Sequence, residues 1–141
     1  MIDAVMVAIE TLPAALVREL AAAFPERRVW GAWLYGSHAT GRSRGDSDVD
    51  VAVLCDRPLD QVALFDVGCR LAAALGADID LVDLRRAGGL LCVEATQRGR
   101  ILVPATLEAD LFTTHALADH AAFAPNRRAA TAAMREKFRA R

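Results

Sequence analysis

The stretch YGSHATGRSRGDSDVDVAVL, residues 35–54, joins the end of one apolar run to the start of another. Gly36 and Ser37 stand where the first run ends, and Asp48 and Asp50 open the second. Alternate residues of a strand point to the same side, so the two aspartates are predicted to share one face. Because like charges side by side destabilise each other, the stretch predicts a cationic partner from outside the polypeptide.

The composition fits one folded domain. The chain has 141 residues, of which 54% are hydrophobic and 25% charged, and its formal net charge is −1. These values predict a single domain over 1–141 and no DNA partner. The chain has no run of about 18 apolar residues, and its first residues lack the basic region of a signal peptide. We therefore expect a cytoplasmic protein that does not enter a membrane.

Hydrophobic periodicity and turn-forming residues predict alternating helices and strands. Thr11 is predicted to cap a second helix that has Pro13 in its first turn. In DVDVAVL, alternation places Val49, Val51 and Val53 on the face opposite the aspartates. The predicted order is helix 2–10, helix 12–24, strand 28–36, helical turn and loop 37–47, strand 48–54, helix 59–76, strand 77–84, helix 87–99, strand 100–103 and helices over 105–141 with a break at Pro125. This order is typical of an α/β domain with a mixed sheet of about four strands flanked by helices.

Ligands for a phosphate and for a metal ion are both predicted near this junction. Backbone N–H groups at a helix start bind anions, Gly36 lets a phosphate approach closely, and the Ser37 hydroxyl adds a donor. Asp80 would lie beside Asp48 and Asp50 if the second and third strands are neighbours. Three carboxylates are hard oxygen ligands suited to Mg²⁺, which often binds together with substrate phosphates. The residues therefore predict a nucleotide site with these three aspartates as catalytic and metal-binding groups.

Besides Asp80, the stretch ADIDLVDL at residues 77–84 contains two other aspartates that could be the third carboxylate. Alternation places Asp78 on the same face as Asp80 and places Asp83 on the opposite face. The residues alone leave Asp78 and Asp80 both open, and the preference for Asp80 depends partly on a family resemblance.

Gly-Ser-x-Ala-x-Gly at 36–41, followed by Ser-Asp-x-Asp at 47–50, resembles the signature of the polymerase-beta nucleotidyltransferase superfamily. The context is most similar to the minimal nucleotidyltransferase (MNT) domains, which are antitoxins of HEPN/MNT toxin–antitoxin pairs. The resemblance implies a polymerase-beta-like fold, with 28–103 as the catalytic core and 105–141 as a C-terminal helical segment.

The resemblance also implies a role for each motif residue. Asp48 and Asp50 would be metal ligands, and Asp80 would be the third carboxylate, which aligns or deprotonates the acceptor hydroxyl. The motif does not fix Arg42 or Arg44, but we expect one of them to reach the phosphates, because arginine recognises phosphate bidentately. The predicted nucleotide-binding residues are therefore Gly36, Ser37, Arg42 and Ser47.

The implied function is Mg²⁺-dependent transfer of AMP from ATP to a hydroxyl, with a tyrosine of a HEPN ribonuclease toxin as the acceptor. We therefore expect an antitoxin that forms a hetero-oligomer with its toxin. Only 37 residues follow Pro104, which leaves little room for a small-molecule substrate domain and favours a protein acceptor. Two alternatives stay open: a toxin-binding module without catalysis, and a small-molecule nucleotidyltransferase whose missing half is a second subunit.

Other conspicuous residues have structural explanations. His38, at a variable position of the motif, is predicted to lie on the surface. Trp30 and Trp33 are predicted to pack in the core. The three cysteines lack zinc-site spacing and are predicted to be buried free thiols.

Overall fold

The structure is an α/β fold with helices on both faces of one sheet. This computed structural model describes residues 4–40, 48–122 and 132–137. The elements in chain order are α1 (Ala4–Ala23), β1 (Val29–Tyr35), α2 (Ser37–Thr40), β2 (Val49–Cys55), α3 (Gln61–Leu75), β3 (Ile79–Asp83), α4 (Gly89–Val93) with a π-helical turn (Glu94–Arg98), β4 (Arg100–Val103) and α5 (Leu107–Ala122). Residues 132–137 are also helical, and the predicted break at Pro125 falls outside the described residues. None of the described helices has the length and apolar character needed to cross a membrane.

The four strands form one mixed sheet in the order β3-β2-β1-β4. β1 is antiparallel to β2 and to β4, whereas β2 and β3 are parallel because α3 carries the chain back between them. The end of β1 therefore meets the starts of β2 and β3, with Tyr35 opposite Asp50 and Asp50 opposite Asp80. The predictions of a mixed sheet and of neighbouring second and third strands are confirmed.

Alternation along β2 divides the core between the two faces of the sheet. Val49, Val51 and Val53 are buried in the cluster formed with α1 and α3. Ala52 and Leu54 are buried on the other face, in the cluster that includes residues of α4 and α5. The prediction that the three valines face away from the aspartates is confirmed, and Asp50 keeps the face of Ala52.

α1 is one continuous helix with Pro13 inside it, so the prediction of a separate helix capped by Thr11 was wrong. A proline in a helix interior removes a backbone hydrogen bond and costs about 3 kcal/mol. The apolar face offsets that cost, because Leu12 and Leu16 are fully buried and each contributes about 1.5–3 kcal/mol on burial. The Thr11 hydroxyl donates back to the Val7 carbonyl oxygen at 3.0 Å, as threonine often does within a helix.

α3 lies against β3 and has well-defined ends. The Asp60 carboxylate accepts a first-turn backbone N–H at 2.9 Å, and Gly76, with φ of 71°, ends the helix as predicted. Cys55 and Cys92 are buried as predicted, but Cys69 is exposed. The prediction of a buried thiol was wrong for Cys69 because it lies on the outer side of α3, away from the core.

Arg85 joins α5 to the sheet just after β3. Its guanidinium lies 4.8 Å from the ring centroid of Trp30 and 4.9 Å from that of Phe112. Its Nε also donates to the Cys55 carbonyl oxygen at 2.6 Å. Trp33 is buried and Trp30 packs against the same cluster, so both tryptophans belong to the core, as predicted.

Candidate active site

The chain turns sharply at Gly36, between β1 and α2. The φ of 75° at this residue lies in the left-handed region, which favours glycine. A Cβ atom here would stand 2.5 Å from the Asp50 Oδ2 atom. The Gly36 carbonyl oxygen accepts the Ala39 N–H at 3.2 Å, and the half-buried Ser37 begins α2. The predicted phosphate-binding turn therefore lies directly against the carboxylate of Asp50.

Asp50 and Asp80 occupy paired positions on the parallel strands β2 and β3. Asp48 and Asp80 are exposed, whereas Asp50 is half-buried. Burial raises the pKa of the Asp50 carboxyl above its ordinary value, and the negative charges of Asp80 and Asp48 raise that pKa further. The three carboxylates therefore repel one another, as expected of groups that need a cation.

The chemistry of these carboxylates fits Mg²⁺, which takes oxygen ligands and usually keeps several waters beside one or two carboxylates and substrate phosphates. Asp50 and Asp80 present such oxygens at paired positions, and the missing side chain at Gly36 lets the Asp50 carboxylate lie against the turn. Within the described segments, no three Asp, Glu, His or Cys side chains are already grouped to hold a metal ion. Asp50 and Asp80 are neighbours in the sheet, but substrate phosphates would have to complete the ligand set.

Asp83 has a structural role rather than a place in this site. Its side chain is buried and accepts the Leu59 N–H at 2.9 Å and the Arg85 N–H at 3.0 Å. Arg86 lies 3.7 Å away as an ion-pair partner. Asp78 is exposed just before β3, one alternation from Asp80. Asp80 faces Asp50 directly, and this pairing favours Asp80 over Asp78 as the third carboxylate.

Two residues near the carboxylates were missed by the sequence reasoning. Tyr35 lies opposite Asp50, and burial, followed by the charges of Asp50 and Asp80, raises its pKa to about 12. His38 is half-buried rather than on the surface, so that prediction was wrong. The charge of His38 lowers the pKa of Asp50, because α2 holds this residue near the start of β2. Both residues directly flank Gly36-Ser37 in the sequence, and this position is the sequence feature that could have indicated their place in the site.

Part of the predicted site falls outside the described residues. Ser47, Arg42 and the alternative Arg44 lie between α2 and Asp48, and their roles stay predictions. Of the predicted nucleotide-binding residues, the structure describes Gly36 and Ser37, and their role also stays a prediction.

A cavity of about 570 Å³ opens beside the carboxylates, between α3 and β3. Asp48, Asp78 and Asp80 line it together with Phe65 and Cys69 of α3. The cavity therefore extends from the acidic groups along the edge of the sheet, where a second substrate could approach them.

Residues 19–106 match the family described as polymerase beta, nucleotidyltransferase. This segment contains all four strands and every candidate site residue. The chain belongs to the polymerase beta nucleotidyltransferase family. Membership confirms the predicted polymerase-beta-like fold.

One curated relative of this chain is named as a protein adenylyltransferase. Protein adenylyltransferase MntA of Shewanella oneidensis is 39% identical over 80 residues, which are 57% of this chain and 58% of that relative. The matched segment thus spans just over half of the relative's length.

Two solved structures share the fold over most of the chain. A crystal structure of a toxin–antitoxin with AMP-PNP has a TM-score of 0.75 at 29% identity, covering 86% of this chain and 97% of that chain. A complex of tri-AMPylated Shewanella oneidensis HEPN toxin with MNT antitoxin gives a TM-score of 0.71 at 26% identity, covering 89% and 98%. The predicted similarity to MNT domains of HEPN/MNT pairs is confirmed.

Proposed function

We propose that this chain is a Mg²⁺-dependent nucleotidyltransferase that moves AMP from ATP to a tyrosine hydroxyl of a HEPN-type toxin, and so acts as a cytoplasmic antitoxin. Family membership supports nucleotidyl transfer. The relative named a protein adenylyltransferase supports AMP as the group and a protein as the acceptor. The neighbouring structure that joins an MNT antitoxin to an AMPylated HEPN toxin supports the class of partner and a hetero-oligomer.

One observation carries the proposal: the glycine turn and two paired aspartates converge at one end of the sheet. Gly36 lies against Asp50 Oδ2, and Asp50 lies opposite Asp80 on the next strand. A phosphate held at the turn would therefore stand beside carboxylates that repel one another without a cation. A bound metal–nucleotide complex would remove that repulsion, with the metal held by the aspartates and the phosphates held by the turn.

Each residue has a distinct proposed task. The turn at Gly36-Ser37 binds the triphosphate through backbone N–H groups and the Ser37 hydroxyl. Asp48 and Asp50 would hold Mg²⁺ together with Asp80. When bound, Mg²⁺ would supply neutralisation of the phosphate charge and stabilisation of the leaving pyrophosphate. The protein's own contribution is positioning, which provides much of the acceleration in phosphoryl transfer.

The acceptor hydroxyl would react beside Asp80. Its oxygen forms a bond to the α-phosphorus while the bond between that phosphorus and the bridging oxygen to the β-phosphate breaks. Pyrophosphate leaves with the electron pair, and the Asp80 carboxylate orients the hydroxyl and accepts its proton. Asp80 is exposed, so a tyrosine on a large partner can reach it.

The test is transfer of label from ATP labelled at the α-phosphate, in the presence of Mg²⁺ and a purified HEPN-type partner. The wild-type chain is compared with Asp50→Asn and with Glu108→Gln. Glu108 is an exposed residue in the first turn of α5, so its variant controls for the loss of one negative charge. We expect label on the partner with the wild type and with Glu108→Gln, and none with Asp50→Asn.

Other outcomes point to other functions. A tight complex that carries no label, and that Asp48→Asn leaves unchanged, would indicate a binding module without catalysis. Label on a small hydroxylated molecule but not on the partner would indicate a small-molecule transferase. Retained transfer in Asp50→Asn would overturn the assignment of this carboxylate.

A further inference from the structure

β3 is an edge strand, and its outer side is directed into the cavity at Leu81, beyond Ile79, where α3 lies against the edge. The Asp78 carbonyl accepts the Val49 N–H, and the Leu84 N–H donates to the Val53 carbonyl. Even-numbered residues of β3 therefore bond to β2, and the backbone of the intervening residues points outward. In the described part of the chain, no strand pairs with β3 on that outer side. The Leu81 N–H and carbonyl thus face the cavity.

α3 forms the opposite wall of this cavity. Gly68 brings the helix so near β3 that a Cβ there would lie 3.2 Å from the Ile79 carbonyl oxygen. Phe65 and Cys69 flank Gly68 on the outer side of the helix, and both line the cavity. Phe65 is 69% exposed, a large apolar surface with no role in the core. We define the edge groove as the cavity between α3 and β3.

The edge groove is continuous with the proposed reaction centre. Every residue from Asp78 to Asp83 lines it, and Asp80 belongs both to this edge and to the carboxylate pair. A strand added to an edge places alternate side chains on one face of the sheet. A segment paired with Leu81 could therefore direct one side chain toward Asp80 while its backbone stays fixed.

The charges in the groove define the occupant. Asp48, Asp78 and Asp80 line it, whereas its one arginine among the described lining residues, Arg86, is an ion-pair partner of Asp83. Such a surface favours a cationic peptide and disfavours an RNA backbone. Phe65 adds an apolar contact of the kind that anchors peptides.

We propose that the edge groove binds the acceptor as an extended, positively charged segment of the partner protein, which pairs with the outer side of β3 and presents its hydroxyl to Asp80. This inference rests on the proposed function and specifies how the acceptor is recognised. β-strand addition gives affinity through main-chain hydrogen bonds, and the groove side chains select the sequence.

Substitution of Phe65 tests the groove without touching the carboxylates. In Phe65→Glu, the KM for the partner in AMP transfer is expected to rise at least about tenfold, with nucleotide affinity unchanged. Leu111→Glu is the matched control, because Leu111 is a similarly exposed apolar residue (63%) on α5, and it is expected to leave the KM unchanged. Loss of transfer in Asp50→Asn together with full activity of Phe65→Glu would show that the acceptor does not bind in the edge groove. The proposed function would then still stand.

Two measurements on the wild-type complex locate the partner directly. Cys69 is the one exposed thiol, since Cys55 and Cys92 are buried, so its alkylation rate reports on the groove and is expected to fall on complex formation. Amide hydrogen exchange at Leu81 is expected to slow, while the Val82 amide, which already faces β2, serves as the internal control. Unchanged rates at Cys69 and Leu81 in the complex would overturn the proposal. If, without the partner, protection of the Leu81 amide increased with the concentration of this chain, the proposal would also be overturned. That result would show that a second copy of the chain binds to β3.

Discussion

The Gly36 α-carbon lies so close to the Asp50 carboxylate that a Cβ atom on it would stand 2.5 Å from Oδ2. The proposed phosphate-binding turn is thus in contact with the strand that carries the proposed metal ligand Asp50. Two features of this position require glycine. Its φ of 75° lies in the left-handed region, and a Cβ atom would collide with the Asp50 carboxylate.

Gly36→Ala should therefore damage both stability and activity. The left-handed backbone costs about 1–2 kcal/mol for a residue with a Cβ, and the displaced Asp50 carboxylate should reduce AMP transfer by about a hundredfold. Urea unfolding and a labelled-ATP transfer assay measure the two effects.

Gly76→Ala separates these two effects. Gly76 also has a positive φ, of 71°, but its Cβ would meet nothing within 4 Å. The variant should lose about 1 kcal/mol of stability and keep full transfer activity. Equal activity losses in the two variants would show that backbone strain alone, rather than the contact with Asp50, explains the effect of Gly36→Ala.

Tyr35 provides a spectroscopic probe of the site because it is the single tyrosine of the chain. Burial, then the charges of Asp50 and Asp80, raises its pKa to about 12, so its phenol should stay protonated well above pH 10. Ultraviolet titration measures phenolate formation, with far-UV circular dichroism at each pH to show that the fold persists. In Asp50→Asn the pKa should fall. An ordinary tyrosine pKa near 10 in the wild type would contradict the burial of the phenol, and a pKa that Asp50→Asn leaves unchanged would contradict its proximity to that carboxylate.

The parts of the site that sequence reasoning predicts are those that depend on short spacings. Alternation in β2 separates the valines from Asp50, and the turn at Gly36 follows from a glycine at the end of an apolar run. The pairing of Asp50 with Asp80 required one further assumption, that β2 and β3 are neighbours, and the sheet order confirms it.

The parts that sequence reasoning missed depend on contacts between distant residues. Pro13 predicts a helix boundary, but burial of the flanking leucines keeps α1 continuous. His38 has no local apolar pattern, and only the position of α2 beside β2 reveals its influence on Asp50. The stacking of Arg85 between Trp30 and Phe112 likewise joins residues that no sequence spacing relates.

The raised pKa of Asp50 predicts a pH-dependent stability. Because burial and the neighbouring aspartates raise this pKa in the folded state, the folded protein holds the proton more tightly than the unfolded chain. The stability that this group contributes is therefore greatest at low pH. It is lost as the pH rises from 3.8, the ordinary pKa of the carboxyl group, through its raised pKa in the folded protein. Asp50→Asn should thus be more stable than the wild type at neutral pH.

Urea unfolding between pH 3.5 and pH 7 measures this difference. The advantage of Asp50→Asn should shrink toward acid pH, and Mg²⁺ at pH 7 should stabilise the wild type but not the variant. Asp66→Asn, on the exposed surface of α3, controls for removal of one charge. A stability difference that does not vary with pH would contradict the electrostatic explanation.

Asp83→Asn should destabilise the protein without a direct effect on chemistry. The buried carboxylate accepts the backbone N–H groups of Leu59 and Arg85, and hydrogen bonds to a charged group each contribute about 1.5–3 kcal/mol. The amide keeps one acceptor oxygen, so we expect a loss of about 2–3 kcal/mol in the free energy of unfolding, measured by urea denaturation. AMP transfer below the unfolding temperature should persist.

Asp78→Asn and Asp80→Asn complete the comparison of the three candidates for the third carboxylate. Both residues are exposed, so each variant should change stability by less than about 0.5 kcal/mol. Asp80→Asn should abolish transfer, because the residue opposite Asp50 would no longer orient and deprotonate the acceptor. Asp78→Asn should reduce transfer only through a higher KM for the partner, since its charge lies in the edge groove. Full loss of kcat in Asp78→Asn with activity retained in Asp80→Asn would exchange the roles of the two residues.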